Sequence, residues 1–152
     1  MESKLNEPFQ KDKFFEIAKA FPFGIRKIDS EFIVRDPLFI GEESSLICVG
    51  EVEKGSYVDI LTGNKNMLIS AVKKATNTAL NEKKDGPVNF IFFIDCISRV
   101  LFLGDDFESE IREVHKYAPD IHLIGALTIG EIANNGKDYL EFYNKTSVIG
   151  CF

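Results

Sequence analysis

The chain has 152 residues, 45% hydrophobic and 28% charged, a balance typical of a folded globular protein that gives little support to disordered or low-complexity readings. Eighteen Lys and Arg against 24 Asp and Glu leave a net charge of −6, which argues against nucleic-acid binding, where affinity comes from cations that neutralise phosphates. The longest purely apolar run, Phe90 to Ile94, is far short of the ~20 residues of a membrane-spanning helix.

The length fits one core at ~100–200 residues per domain, with residues 1–10 as a frayed polar segment and 11–152 as the domain. Met1 to Glu7 is polar and no apolar stretch follows it, so no secretory leader is expected and the expected location is cytoplasmic. Cys48, Cys96 and Cys151 are odd in number and widely spaced, which fits reduced thiols. With two histidines they form no metal-ligand pattern, and no metal or cofactor is expected. Fourteen Phe with no Trp and two Met describe a rigid aromatic and aliphatic interior.

Phe14, Ile17, Ala18 and Phe21 recur at helical spacing until Pro22 and Gly24, which predicts a short first helix. Ile25–Ile28 and Phe32–Arg35, separated by Asp29 and Ser30, predict a hairpin that ends where Asp36 precedes Pro37. Leu46–Val52 and Tyr57–Leu61 predict a second strand pair around the Glu53–Ser56 turn with its Gly55. Asn64 or Asn66 is the expected cap of a helix with Leu68, Ala71, Val72, Ala75 and Ala79 on its apolar stripe, ending before Gly86 and Pro87. Val88–Ile94 predicts a central strand covered on both faces. Asp105 with Glu108 has the spacing of a capping box for a helix with Phe107, Ile111, Val114 and Ala118 inward and Pro119 after its end. Ile121–Thr128, Tyr139–Phe142 and Ser147–Gly150 are the expected closing strands, with a turn at Asn134–Gly136 between the first two. The fold class is α+β: a mixed, mainly antiparallel sheet with helices packed on it, in a single domain, the long strand between two helices adding parallel pairing.

Four clusters of polar or glycine residues fall at strand ends, where binding groups commonly sit. The first holds Arg35 and Asp36; its plain alternative is a salt bridge tying down a loop. The second runs from Asp95 through Cys96 to Arg99, at a strand end that opens a helical turn, where backbone N–H groups attract anions and lower a thiol's pKa. Here the plain alternative is a small core thiol and a surface charge. The third is Gly125, Thr128, Gly130 and Glu131, which otherwise reads as a bulge and a turn. The fourth contains Asn144 and Thr146, which supply hydrogen bonds or form a turn. The candidate ligand-binding residues are Arg35, Asp36, Cys96, Arg99, Thr128, Gly130, Glu131 and Asn144.

Phe21–Ile25, Ile33–Pro37, Glu53–Gly55, Cys96–Arg99, Ile129–Ile132 and Asn144–Thr146 occur in an order that resembles the C-terminal domain of the FIST family, over nearly the whole chain. The family's consensus usually carries glycine where this chain has Ser98. The resemblance implies a cytoplasmic sensory input domain for signal transduction that binds a small ligand, with amino acids suggested. It also implies a partner in an N-terminal FIST domain or a signalling output module. On that reading Arg99 holds a ligand carboxylate, and Glu131 or Asp36 an ammonium group, as suits a zwitterion. Two alternatives stand beside it. One is a cysteine hydrolase with Cys96 as nucleophile and His115 or His122 as base, although the sequence places neither histidine well. The other is an interaction or dimerisation module that uses an aromatic face. No P-loop, dinucleotide fingerprint or HExxH motif is present.

Overall fold

A computed structural model describes residues 13–27, 31–84, 86–134 and 139–152. The expected frayed segment 1–10 and the turn at Asp29–Ser30 lie outside the described residues. The fold is α+β, and among the described residues all strand pairings but one are antiparallel. Its contacts cluster into two compact units, Met1–Thr62 and Gly63–Phe152.

The first unit begins with helix α1 (Phe14–Ala18), followed by β1 (Phe23–Ile25), β2 (Ile33–Arg35), β3 (Pro37–Ile40), β4 (Leu46–Cys48) and β5 (Val58–Ile60). β1 lies between β2 and β5, antiparallel to both, and β3 pairs with β4 in a separate ribbon. The expected β1–β2 hairpin is present. The expected pairing of Leu46–Val52 with Tyr57–Leu61 is not: β4 turns back onto β3, and β5 onto β1. The missed strand opens on Pro37, a position where a strand tolerates the absent N–H. Its return turn places Glu43 and Ser44 at φ of 52° and 62° and is held by Gly41 N–H donating to Ser45 O at 2.8 Å and Ser45 Oγ donating to Glu42 O at 2.7 Å. Gly41 stands at the mouth of the turn, but the two left-handed positions carry Glu and Ser, residue types that do not advertise that backbone.

The second unit runs through α2 (Lys65–Glu82), β6 (Phe90–Cys96), α3 (Ile97–Leu103), α4 (Glu108–Tyr117), β7 (His122–Thr128), β8 (Glu131–Ala133), β9 (Glu141–Tyr143) and β10 (Ser147–Cys151). β6 is central, antiparallel to β10 and parallel to β7, in register from Phe90 opposite His122 to Cys96 opposite Thr128. α3 and α4 make the crossover that a parallel pair requires. Asn64 caps α2 by accepting from Met67 N–H at 3.0 Å.

Ile91 and Phe93 of β6, Val72 of α2, and Val114 and Ala118 beside α4 form the core cluster. Full burial of a side chain such as Val or Phe contributes roughly 1.5–3 kcal/mol. Three expectations are corrected here. Ala71 is exposed, and the stripe of α2 instead buries Thr76, whose hydroxyl donates to Val72 O at 2.9 Å. β6 is buried fully along its 91–93–95 face, while on the other face Cys96 at its end is buried and Phe92 and Ile94 are half-buried. Asp105 makes no capping box: α3 follows β6 at once, Gly104 ends it at φ 58°, and Asp105 falls in a 3-10 turn before α4, whose first turn has no side-chain cap. The strand paired with β9 is β8; Asn135 and Gly136 of the expected turn lie outside the described residues.

Candidate functional site

Parallel strands joined by helices place their carboxyl ends side by side, the usual location of ligand sites in such sheets. In the second unit these ends carry Asp95 and Cys96 on β6 and Thr128 on β7. Cys96, Arg99, Glu131 and Asn144, with Asp95 and Ser98, are all buried around them.

Arg99 is the hub. Its Nε lies 3.1 Å from Asp95 Oδ1, one terminal nitrogen donates to Lys145 O at 3.2 Å, and the other donates to Leu68 O at 3.0 Å and pairs with Glu110. Its side chain is 4% exposed, and those of Asp95 and Glu110 are 1% and 0%. Ser147 Oγ donates to Asp95 Oδ1 at 2.6 Å. Two carboxylates thus share one guanidinium, one negative charge in excess. Burial raises Asp95 against the pull of Ser147 and Arg99. Burial pushes Glu110 up to about 7 against Arg99, with Asp95 adding to the rise.

Beside this triad a second buried acid, Glu131, accepts from Thr128 Oγ at 2.7 Å and from Thr146 N–H at 3.4 Å. Burial raises the pKa of Glu131. Asn144 Nδ2 donates to Ile129 O at 3.2 Å, and its own carbonyl accepts from Thr146 Oγ at 3.2 Å. Gly130 leaves room for this packing, since a Cβ there would lie 2.1 Å from the Phe142 ring. Lys145, at φ 54°, sets its ammonium 5.8 Å from the centre of the Phe102 ring, within range of a cation–π contact.

The cysteine chemistry finds no partner here. Cys96 is 1% exposed, its Sγ lies 3.2 Å from Ser98 Oγ, and burial pushes its thiol up, away from the thiolate. His122 pairs with Phe90 while Cys96 pairs with Thr128, which separates them by ~20 Å along the strands at ~3.3 Å per residue. Among the described residues no hydrogen bond joins Cys96 to His115.

A groove of ≈ 320 Å³ runs between α4 and the β7 side of the sheet. Phe107, Ile111 and His115, on successive turns of α4, form one wall; Leu123, Gly125 and Leu127 form the other, and Asp95 lines it too. A Cβ at Gly125 would stand 2.2 Å from Phe93 O, so the strands approach there only over glycine.

Arg35 and Asp36 belong to the first unit. Arg35 donates from Nε to Glu51 O at 2.9 Å and from Nη1 to Val34 O at 3.1 Å, and Asp36 O accepts from Val49 N–H at 2.9 Å; both side chains are buried. The second unit therefore brings together Cys96, Arg99, Thr128, Gly130, Glu131 and Asn144. Glu110, Ser147 and the groove wall were missed. Glu110 left a signal: it lies three residues after Phe107 and four before Val114, a carboxylate on the inward stripe of its helix.

The family model for the FIST C domain matches residues 5–134. No curated protein and no solved structure matches the chain. Among the described residues no helix is long and apolar enough to cross a membrane, and no group of three or more His, Cys, Asp or Glu could hold a metal ion.

Proposed function

From the premise that this chain belongs to the FIST C domain family, a family of sensor-type signal-transduction domains, we propose that it senses a small ligand in the cytoplasm and passes the signal to an N-terminal FIST domain or an output module. The observation that carries this reading is the groove beside the carboxyl ends of β6 and β7, an apolar trough with a buried acid in its lining. Amino acids are the first class to test. Arg99, enclosed by its own partners, acts in this reading by fixing Asp95 and Glu110; Thr128, Glu131 and Asn144 fix the adjoining loops.

The test is a thermal-shift screen of the purified chain against amino acids and related metabolites. A ligand at 100 times its Kd stabilises by ~2.7 kcal/mol, several degrees for a domain of this size. The expected result is a saturable shift that Leu127→Trp, which fills the groove, removes. Silence across the panel overturns the small-ligand reading for this chain.

A second reading, a protein-interaction module, is favoured by the exposed apolar residues Ile129, Ile132, Tyr139 and Leu140 near β8 and β9, each at least 69% exposed. Sedimentation as a monomer at high concentration would remove its self-association form.

A further inference from the structure

We propose that the groove selects an organic cation, a primary amine with an aliphatic or aromatic body, and seats its ammonium on the second oxygen of Asp95. This deepens the ligand-sensing reading and rests on it.

The walls fix the body of the ligand. Phe107 and Ile111 on one side and Leu123 and Leu127 on the other are apolar, so they reward an apolar chain or ring and give no donors to a carboxylate. The buried end fixes the head. Asp95 is 1% exposed, its Oδ1 is taken by Ser147 and Arg99, and among the described residues no donor reaches its Oδ2 or Glu110 Oε2. An unsatisfied buried carboxylate oxygen is costly, and Asp95 is among the residues that line this groove.

The charge count points the same way. Around the guanidinium of Arg99 stand Asp95 from β6 and Glu110 from α4, two acids against one base. Glu131 from β8 adds negative potential at Asp95, β10 contributes the neutral hydroxyl of Ser147, and His115 of α4 lines the same groove. The cluster is short of one positive charge and makes up the deficit with a proton. A ligand ammonium on Asp95 takes that proton's place: R–NH3+ binds intact, Glu110 loses its proton to solvent, and no covalent bond is made or broken. Affinity therefore rises with pH, about tenfold per unit while Glu110 is protonated in the free chain, and levels off once it is ionised. A ligand amine resembles lysine, with a pKa of ~10.4, and stays charged throughout.

The experiment titrates the protein with 2-phenylethylamine from pH 5.5 to 8.5 and follows methyl NMR signals of Ile111, Leu123 and Leu127. 2-Phenylethanol serves as the neutral analogue and 3-phenylpropanoate as the anion. The expected result is saturable binding of the amine, at least tenfold weaker binding of the alcohol, none of the acid, and Kd falling with pH toward a plateau. Asp95→Asn should abolish amine binding. Should that variant not fold, Leu127→Trp blocks the groove from an exposed position, and Glu110→Gln removes the pH dependence. Equal binding of alcohol and amine, a Kd independent of pH, or preference for the acid overturns the proposal. An amino-acid response in the thermal screen with the amine silent overturns this inference and leaves ligand sensing standing. Silence from both overturns both.

Discussion

Glu110 and Asp95 reach the same guanidinium, that of Arg99, from two different elements, α4 and β6. This makes the centre of the second unit sensitive to a single proton, and several consequences can be measured.

The first is a decline of stability with rising pH. Glu110 stands at about 7 in the folded chain against an ordinary value of 4.5. Between these values the folded chain keeps a proton that the unfolded chain has lost, so the associated stability is full below about pH 4.5 and is lost as pH rises through about 7. The effect is on the order of 3 kcal/mol. Asp95 and Glu131, both raised by burial, act in the same direction. Urea midpoints taken at intervals from pH 5 to 8 should fall, and Glu110→Gln, which imitates the protonated acid, should flatten the slope. A wild-type midpoint that rises over this range would contradict a Glu110 that keeps its proton in the folded chain.

Arg99→Lys should behave as a severe change. A lysine ammonium cannot bridge Asp95, Glu110 and the carbonyls of Leu68 and Lys145 with one planar fork. Leaving a buried carboxylate unpaired costs about 3–5 kcal/mol. Adding Glu110→Gln removes one of the stranded charges, so the double variant should be more stable than the sum of the single losses. Denaturation of the four proteins in one cycle measures that coupling, and strict additivity would mean that Arg99 and Glu110 do not interact.

How much of this was open to a reading of the sequence depended on how local each signal was. β6 was found because an apolar run without polar punctuation has few other readings, and its place between two helices pointed to parallel pairing without identifying the partner strand. β3 was missed because its turn puts Glu43 and Ser44 in left-handed backbone, with Gly or Asn at neither position. The polar residues at the ends of β6 and β7 were legible as strand-mouth clusters, and the fold gathers Cys96, Arg99, Thr128, Glu131 and Asn144. Their partners were not legible: Ser147 meets Asp95 across 52 positions and Leu68 meets Arg99 across 31, and no local pattern encodes contacts at that range. Arg99 looked like a ligand hook because an arginine after an apolar strand needs a partner. The partner, Glu110, lies on the next helix, 11 positions on.

Alkylation should separate the three thiols. Cys48 and Cys151 are half-exposed while Cys96 is buried, and burial raises the pKa of all three. Under native conditions at neutral pH, iodoacetamide should label Cys48 and Cys151 first, with Cys96 modified only as fast as the second unit opens. Mass spectrometry of peptides along a time course gives the order. Labelling of Cys96 as fast as Cys151 would place it in an accessible cleft and reopen the hydrolase alternative.

Gly125→Ala tests the groove wall by a purely steric route. The added methyl would stand 2.2 Å from the carbonyl oxygen of Phe93, a backbone atom that pairs β6 with β7 and cannot swing aside as a side chain would. Overpacking of this kind costs typically 1–3 kcal/mol, and here the strain falls directly on the parallel pair. Gly130→Ala makes an equally close contact, at 2.1 Å, but with the ring of Phe142 on the short β8–β9 ribbon, which can rotate away. Gly125→Ala should therefore be the more destabilising of the two in thermal melts, and it should weaken any groove ligand by prising β7 from β6. A Gly125→Ala protein that melts with the wild type would mean that the strands do not approach so closely at Phe93, and the floor of the groove would have to be redrawn.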